Sequence, residues 1–162
     1  MLGGTPIALT RHSNKSEELL QHGAKHVIAT EEQDLVEEVC KITDGKGARL
    51  AFDPVGGPYV ATILEALSDL GIFFQYGALD TTPLAVRVMP LLGKDLTIRG
   101  YQLFEITKDQ ERLERAKVFI SKGLADGLLK PVIAKVFKLN DISEAHHFME
   151  SNVHIGKIVV VP

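Results

Sequence analysis

Short runs rich in β-branched and aromatic residues take turns along this chain with amphipathic segments, and that alternation constrains its fold more than any other feature. Strand-like runs fall at about 5–9, 26–29, 49–53, 72–76 and 96–101, and helical patterns at about 14–22, 32–43, 58–68 and 109–122. Parallel neighbours cannot be joined by a tight turn; each pair needs a crossover lying over a face of the sheet, usually a helix. The repeat therefore predicts an α/β chain built on a doubly wound parallel sheet.

The punctuation agrees with this reading. Ser13 stands where the first helix needs a cap, and Gly23 where it should stop. Asp44-Gly45-Lys46-Gly47 is a natural turn, Pro58 suits a first helical turn, and Gly123 stands where the polar helix should close. Beyond Leu129-Lys130-Pro131 the character changes. A strand at 132–139, the capping-box spacing of Asp141-Ile142-Ser143-Glu144, a helix to about 150 and a last strand at 157–161 form a β-α-β appendage. The expected division is thus 1–130 and 131–162.

Composition removes several function classes. With 162 residues and 45% hydrophobic content, the chain can bury one sizeable core or one domain plus an appendage. Its 18 basic and 21 acidic residues are well mixed, so no face has the positive charge that nucleic acid requires. No apolar run approaches the roughly 20 residues of a membrane span, and the start does not resemble a secretion signal, so the expected location is cytoplasmic. Cys40 is the only cysteine, which excludes an internal disulfide and a sulfur-rich zinc site made by this chain alone. It shares a helical stripe with Leu35, Val36 and Val39 and is expected to be a small buried apolar group. His22 and His26 have a zinc-like spacing, but Gly23 should break the helix between them; His146 and His147 diverge by about 100° on a helix. No metal site is expected.

In open α/β sheets the ligand lies over the carboxyl ends of the strands. The first of these ends, Thr10-Arg11-His12-Ser13-Asn14-Lys15, carries two cations and two hydroxyls. A carboxylate in this place favours the ribose of NAD, whereas cations favour the 2′-phosphate of NADP. Taken alone, such a stretch is more often a solvated loop, and the neighbouring pattern shifts the balance. Asp53-Pro54-Val55-Gly56-Gly57, Tyr76-Gly77-Ala78 and Gly100-Tyr101 place glycines at three further strand ends, where a ligand could meet bare backbone. Any one of these could simply supply a turn.

Together these segments resemble a known family. Phe52-Asp53-Pro54-Val55-Gly56-Gly57-Pro58, Gly71-Ile72-Phe73-Phe74-Gln75-Tyr76-Gly77-Ala78-Leu79, Leu96-Thr97-Ile98-Arg99-Gly100-Tyr101 and the closing Phe148-Met149-Glu150-Ser151-Asn152 with Gly156-Lys157-Ile158-Val159-Val160 are similar to the medium-chain dehydrogenase/reductase family, most of all its NADPH-dependent quinone oxidoreductase branch. Leu19-Leu20-Gln21-His22-Gly23-Ala24-Lys25-His26-Val27-Ile28 matches that family's helix-to-strand passage. The resemblance implies a Rossmann-type sheet binding NADPH, which passes a hydride to a quinone, an enone or a carbonyl substrate. It also implies that Thr10, Arg11, Ser13 and Lys15 meet the 2′-phosphate end. Val55 and Gly56 would border a ribose, and Tyr76, Gly77 and Ala78 would pass under the nicotinamide ribose. Leu103, Phe104, Asn152, Gly156 and Lys157 would approach the nicotinamide. Family dimers commonly join through the edge of the sixth strand, here Leu96 to Tyr101, so a homodimer is expected.

The front of the family pattern is missing. Neither a substrate-side domain nor a first strand with a G-x-G-x-x-G turn is present; Gly45-Lys46-Gly47 lacks the third glycine and follows a helix. The chain therefore reads as the C-terminal part of a larger enzyme, inactive by itself, or as a non-catalytic nucleotide-binding or dimerisation remnant. In the usual strand order the absent strand sits between the second and the fourth. The expected remedies are pairing of those two strands across the gap, exchange with another copy, or poor solubility. A short-chain dehydrogenase is excluded, since Ile63, Asp80 and Glu105 stand where a lysine should follow Tyr59, Tyr76 or Tyr101. A methyltransferase would prefer an acidic group at Thr10-Arg11.

Overall fold

The computed structural model describes residues 3–151 and 153–162, which form two compact units. One is Thr5–Gln110; the other is Glu111–Pro162 with Gly3 and Gly4. The boundary expected near Pro131 lies inside the second unit.

The larger unit is a parallel sheet in two pieces. Strand β1 (Ile7–Thr10) pairs with β2 (His26–Ala29), and the helix α1 (Ser16–Gln21) connects them after a short 3₁₀ turn at Ser13–Lys15. A second piece has the order β3-β4-β5, with β3 at Ala48–Asp53, β4 at Leu67–Gln75 and β5 at Thr97–Gly100. The connections carry α2 (Leu35–Ile42), α3 (Val60–Glu65) and α4 (Val88–Gly93), and α5 (Phe104–Thr107) follows β5. All ladders run parallel, as the alternation of elements requires. In the smaller unit, α6 (Gln110–Ala125, its first residue in the larger unit) leads to β6 (Ile133–Lys138), α7 (Ile142–Glu150) and β7 (Lys157–Val161), and β6 and β7 pair in parallel.

Period-two patterning explains which face of β3-β4-β5 is covered. Ala51, Phe73 and Ile98 point to one side and join a core of Ile28, Leu35, Val39, Val60, Ile63, Leu64, Ala66 and Leu67 from β2, α2, α3 and the start of β4. Burying a side chain such as Phe73, wholly out of water here, stabilises a fold by about 1.5–3 kcal/mol. Phe52, Phe74 and Arg99 point the other way. Phe52 is 57% exposed and stacks on Phe74 at 4.8 Å, with Tyr76 at 5.6 Å and Tyr101 at 6.0 Å, so this face is an aromatic stripe open to water.

The gap between the pieces is not closed. β1 pairs with β2 and β3 with β4, but no ladder joins β1 to β3 among the described residues, so the first of the three expected remedies, pairing across the missing strand, is not the one seen. Both pieces are instead held through side chains, since Ile7 from one and Ala48 and Ala51 from the other pack on the same core.

Several local expectations need correction. Ser13 caps nothing with its side chain; it opens the 3₁₀ turn. The helix expected to reach residue 68 ends at Glu65, because Leu67 already pairs with Ala48. The ladder then breaks, with Leu70 at φ 55° and its N–H donated to Lys94 O at 2.7 Å, and resumes at Ile72. α6 runs through the buried Gly123 to Ala125, and Asp141 makes no side-chain cap. Asp34 does, accepting from Glu37 N–H at 2.8 Å. Cys40 is exposed rather than buried, because the Leu35 and Val39 row of α2 takes the core and leaves Cys40 beyond its edge.

Candidate functional site

The carboxyl ends of the three-stranded piece are flush: Asp53 pairs with Gln75, and Gln75 with Gly100. Loops leaving a level rim start close together, and here they bind one another. Tyr76 N–H donates to Asp53 O at 3.0 Å, Leu79 N–H to Pro54 O at 3.2 Å and Asp80 N–H to Val55 O at 2.9 Å. Tyr101 N–H reaches Gln75 O at 2.9 Å. The buried Asp53 carboxylate accepts from Gly56 N–H at 2.6 Å and so fixes the sharp turn at Gly56, whose φ of 87° suits glycine. The Asp80 carboxylate, held below the ordinary range by the Thr82 hydroxyl and amide, anchors the other loop.

The glycines serve this packing. A Cβ on Gly77 would sit 2.6 Å from Pro54 O, and one on Gly57 2.3 Å from Asp80 Oδ2, so the space is taken by the chain itself. Between the loops, the Gln75 side-chain amide donates to Asp53 O at 3.2 Å and Gly77 O at 2.7 Å. Its buried Oε1 has no partner. An orphaned buried acceptor at a sheet's carboxyl rim is a place where a ligand hydroxyl or amide would be welcome. Val55, Tyr76 and Ala78 are exposed beside it.

The rim of the other piece is charged. Thr10 O accepts Thr30 N–H at 2.8 Å and the Thr30 hydroxyl at 3.2 Å, and Arg11 O accepts Glu31 N–H at 3.0 Å. These bonds clip the turn after β2 to the turn after β1. Arg11, His12 and Ser13 are exposed there and Lys15 is half-buried. The clip also delivers two carboxylates absent from the first turn's own sequence. Glu32 Oε1 accepts from Ser13 N–H at 3.0 Å and lies 3.5 Å from His12 Nδ1, while Glu31 Oε2 lies 3.4 Å from His12 Nε2. The Ser13 side chain, then its amide, hold Glu32 below the ordinary glutamate range. Tyr59, at the entry to α3, bonds Thr30 through its hydroxyl; burial pushes its ionisation up.

The predicted residues are thus brought together in part. Thr10, Arg11, Ser13 and Lys15 share one turn; Val55, Gly56, Tyr76, Gly77 and Ala78 share the interlocked loops. Leu103 and Phe104 are exposed at the start of α5. Gly156 and Lys157 belong to the smaller unit, where Lys157 N–H donates to Val132 O at 2.8 Å and a Cβ on Gly156 would meet the same oxygen at 2.6 Å. Asn152 lies outside the described residues. Gln75, Asp53, Glu31 and Glu32 were missed; the one advance signal was a polar glutamine closing the apolar run Ile72-Phe73-Phe74.

A doubly wound parallel sheet with a charged turn and interlocked glycine loops at its carboxyl ends defines a Rossmann-like nucleotide-binding fold. The chain belongs to the medium-chain dehydrogenase/reductase family: the sequence profile described as Zinc-binding dehydrogenase matches residues 22–160. It is 28% identical over 163 residues to 2-haloacrylate reductase of Burkholderia sp, covering 99% of this chain and 49% of that protein. It is 29% identical over 164 residues to quinone oxidoreductase 1 of Escherichia coli (strain K12), covering 99% and 50%. The crystal structure of Escherichia coli quinone oxidoreductase complexed with NADPH superposes with a TM-score of 0.87 at 28% identity, over 99% of this chain and 50% of that one. The chain spans about half the length of the curated relatives it matches. Zinc finds no fit: among the described residues no group of three His, Cys, Asp or Glu could hold a metal ion. Likewise, none of the described helices is long and apolar enough to cross a membrane.

Proposed function

We propose that this chain is the cofactor-binding portion of an NADPH-dependent oxidoreductase that transfers a hydride to a quinone, an enone or a carbonyl substrate. The observation that carries the reading is the level carboxyl rim. It offers an unpaired buried acceptor at Gln75 Oε1, and the rim of the other piece adds the basic turn at Arg11 to Lys15, in a chain superposing along nearly its whole length on an NADPH-complexed relative. Bound NADPH supplies the hydride; the protein supplies orientation and electrostatics. Arg11, with Thr10, Ser13 and Lys15, would meet the 2′-phosphate. Gln75 Oε1 would accept from a donor of the cofactor, and the interlocked loops carrying Val55, Gly56, Tyr76, Gly77 and Ala78 would hold a ribose in place. The outer edge of β5 would join two copies, as in the expected homodimer. Substrate contacts, and with them turnover, would come from polypeptide other than this chain.

Titration of the chain with NADPH, with NADH as control, tests the reading. NADPH should bind more tightly, and Arg11→Ala should erase that preference, a loss of about tenfold or more for one charge-assisted phosphate contact. Absence of binding at millimolar NADPH would favour a remnant without nucleotide affinity.

A further inference from the structure

We propose that Glu32 is a specificity-determining residue: its carboxylate occupies the anion-binding position of the turn after β1 and competes with a ligand's 2′-phosphate. The inference rests on the NADPH reading above. It begins with the backbone. The segment after β2 is held by Glu32 N–H and Gln33 N–H donating to Ala29 O at 3.0 and 2.8 Å, and by the Gln33 side chain accepting from Ala29 N–H at 2.9 Å. Glu31 N–H and Thr30 N–H then clip it to Arg11 O and Thr10 O. Glu32 therefore stands opposite the basic turn because of the fold, although it lies 19 residues beyond Ser13 in sequence.

From there its Oε1 takes the Ser13 N–H at 3.0 Å and approaches His12 Nδ1 at 3.5 Å, while Glu31 holds the other imidazole nitrogen. A phosphate oxygen seeking this turn would want the same N–H and the same imidazole. It must displace a carboxylate already bonded there, and the two anions repel at short range. A ribose hydroxyl faces the opposite situation, since a carboxylate is its natural acceptor. With Glu32 seated the turn suits an unphosphorylated ribose; with Glu32 swung out, Arg11, Lys15, His12 and the Ser13 amide suit the 2′-phosphate. The side chain thus sets how strongly this chain distinguishes the two nucleotides.

The test uses the full chain and two probes that differ only by the 2′-phosphate, adenosine 2′,5′-bisphosphate and adenosine 5′-monophosphate, with binding followed at the Ser13 amide by NMR. Glu32→Gln keeps an oxygen for the Ser13 N–H but removes the charge. It should raise the affinity ratio in favour of the bisphosphate by about two- to fivefold, and Glu32→Ala should do the same. If the wild type prefers the bisphosphate through Arg11 and Glu32→Gln leaves the ratio unchanged, the inference falls and the NADPH reading stands. If the wild type shows no preference and Glu32→Gln creates one, the inference stands and the natural cofactor is the unphosphorylated one. If neither protein discriminates, both readings fall.

Discussion

The two rims of the larger unit solve different problems with different chemistry. After β3 and β4, loops lock onto each other through backbone hydrogen bonds and glycines with no room for a methyl group, as at Gly77 against Pro54. After β1 and β2, the backbone is clipped in two places and the side chains remain in water: Arg11, His12, Ser13, Glu31 and Glu32 are all exposed. The first rim resembles a core, where position is fixed by close packing. The second is a set of charges whose mutual attractions are weak and exchangeable. A site assembled from both can hold a ligand rigidly at one end and choose between ligands at the other.

That contrast predicts a sharp ranking of substitutions. Gly77→Ala should have the largest effect, since its new methyl carbon meets a backbone oxygen, Pro54 O, at 2.6 Å and cannot be relieved by turning a side chain. A loss of about 1–3 kcal/mol is expected, the usual cost of overpacking, read from the urea unfolding midpoint. Asp53→Asn comes next. It keeps the shape but weakens the 2.6 Å bond to Gly56 N–H by removing its charge, at about 1 kcal/mol or somewhat more. Arg11→Ala and Glu32→Gln should change nucleotide preference yet leave unfolding within about 0.5 kcal/mol of wild type. If either destabilises the fold as much as Asp53→Asn, the proposed division of labour between the rims breaks.

The smallest effect is one of pH. Glu32 is held below the ordinary glutamate range, first by the Ser13 side chain and then by its amide. A carboxylate whose value is depressed on folding adds stability that is complete above the unfolded value and is lost as pH falls through the folded one. Being exposed, this group should add little. The Glu32 carboxyl resonance should titrate below that of an unstructured glutamate, and the Ser13 amide should follow it; a midpoint at or above the unstructured value would contradict the bond.

Much of the fold was legible because its signals are local. The alternation of β-branched runs and amphipathic segments placed β1 to β7 within a few residues, apart from the early start of β4, and the family motifs lie at strand ends where sequence and rim coincide. Failures came where the cause was distant. Leu67 and Ser68 read as helix because nothing local shows that Ala48 is waiting to pair with Leu67. Cys40 read as core because a four-residue stripe on α2 is wider than the face that the sheet accepts. The turn after β1 read as purely basic because Glu31 and Glu32 arrive through a tertiary clip, and the packing role of Gly57 and Gly77 was not legible because the loop that meets each lies some twenty residues away.

The two edges that no ladder joins, one on β1 and one on β3, should invert the usual ranking of protection along a parallel sheet. In a closed sheet the middle strands are the last to exchange amide hydrogen for deuterium, and the margins are the first. β1 and β3 would be the middle of this one, yet among the described residues each is bonded on one side only. Alternate amides along each strand therefore lack a ladder partner, and these inner strands should exchange as early as the outer ones.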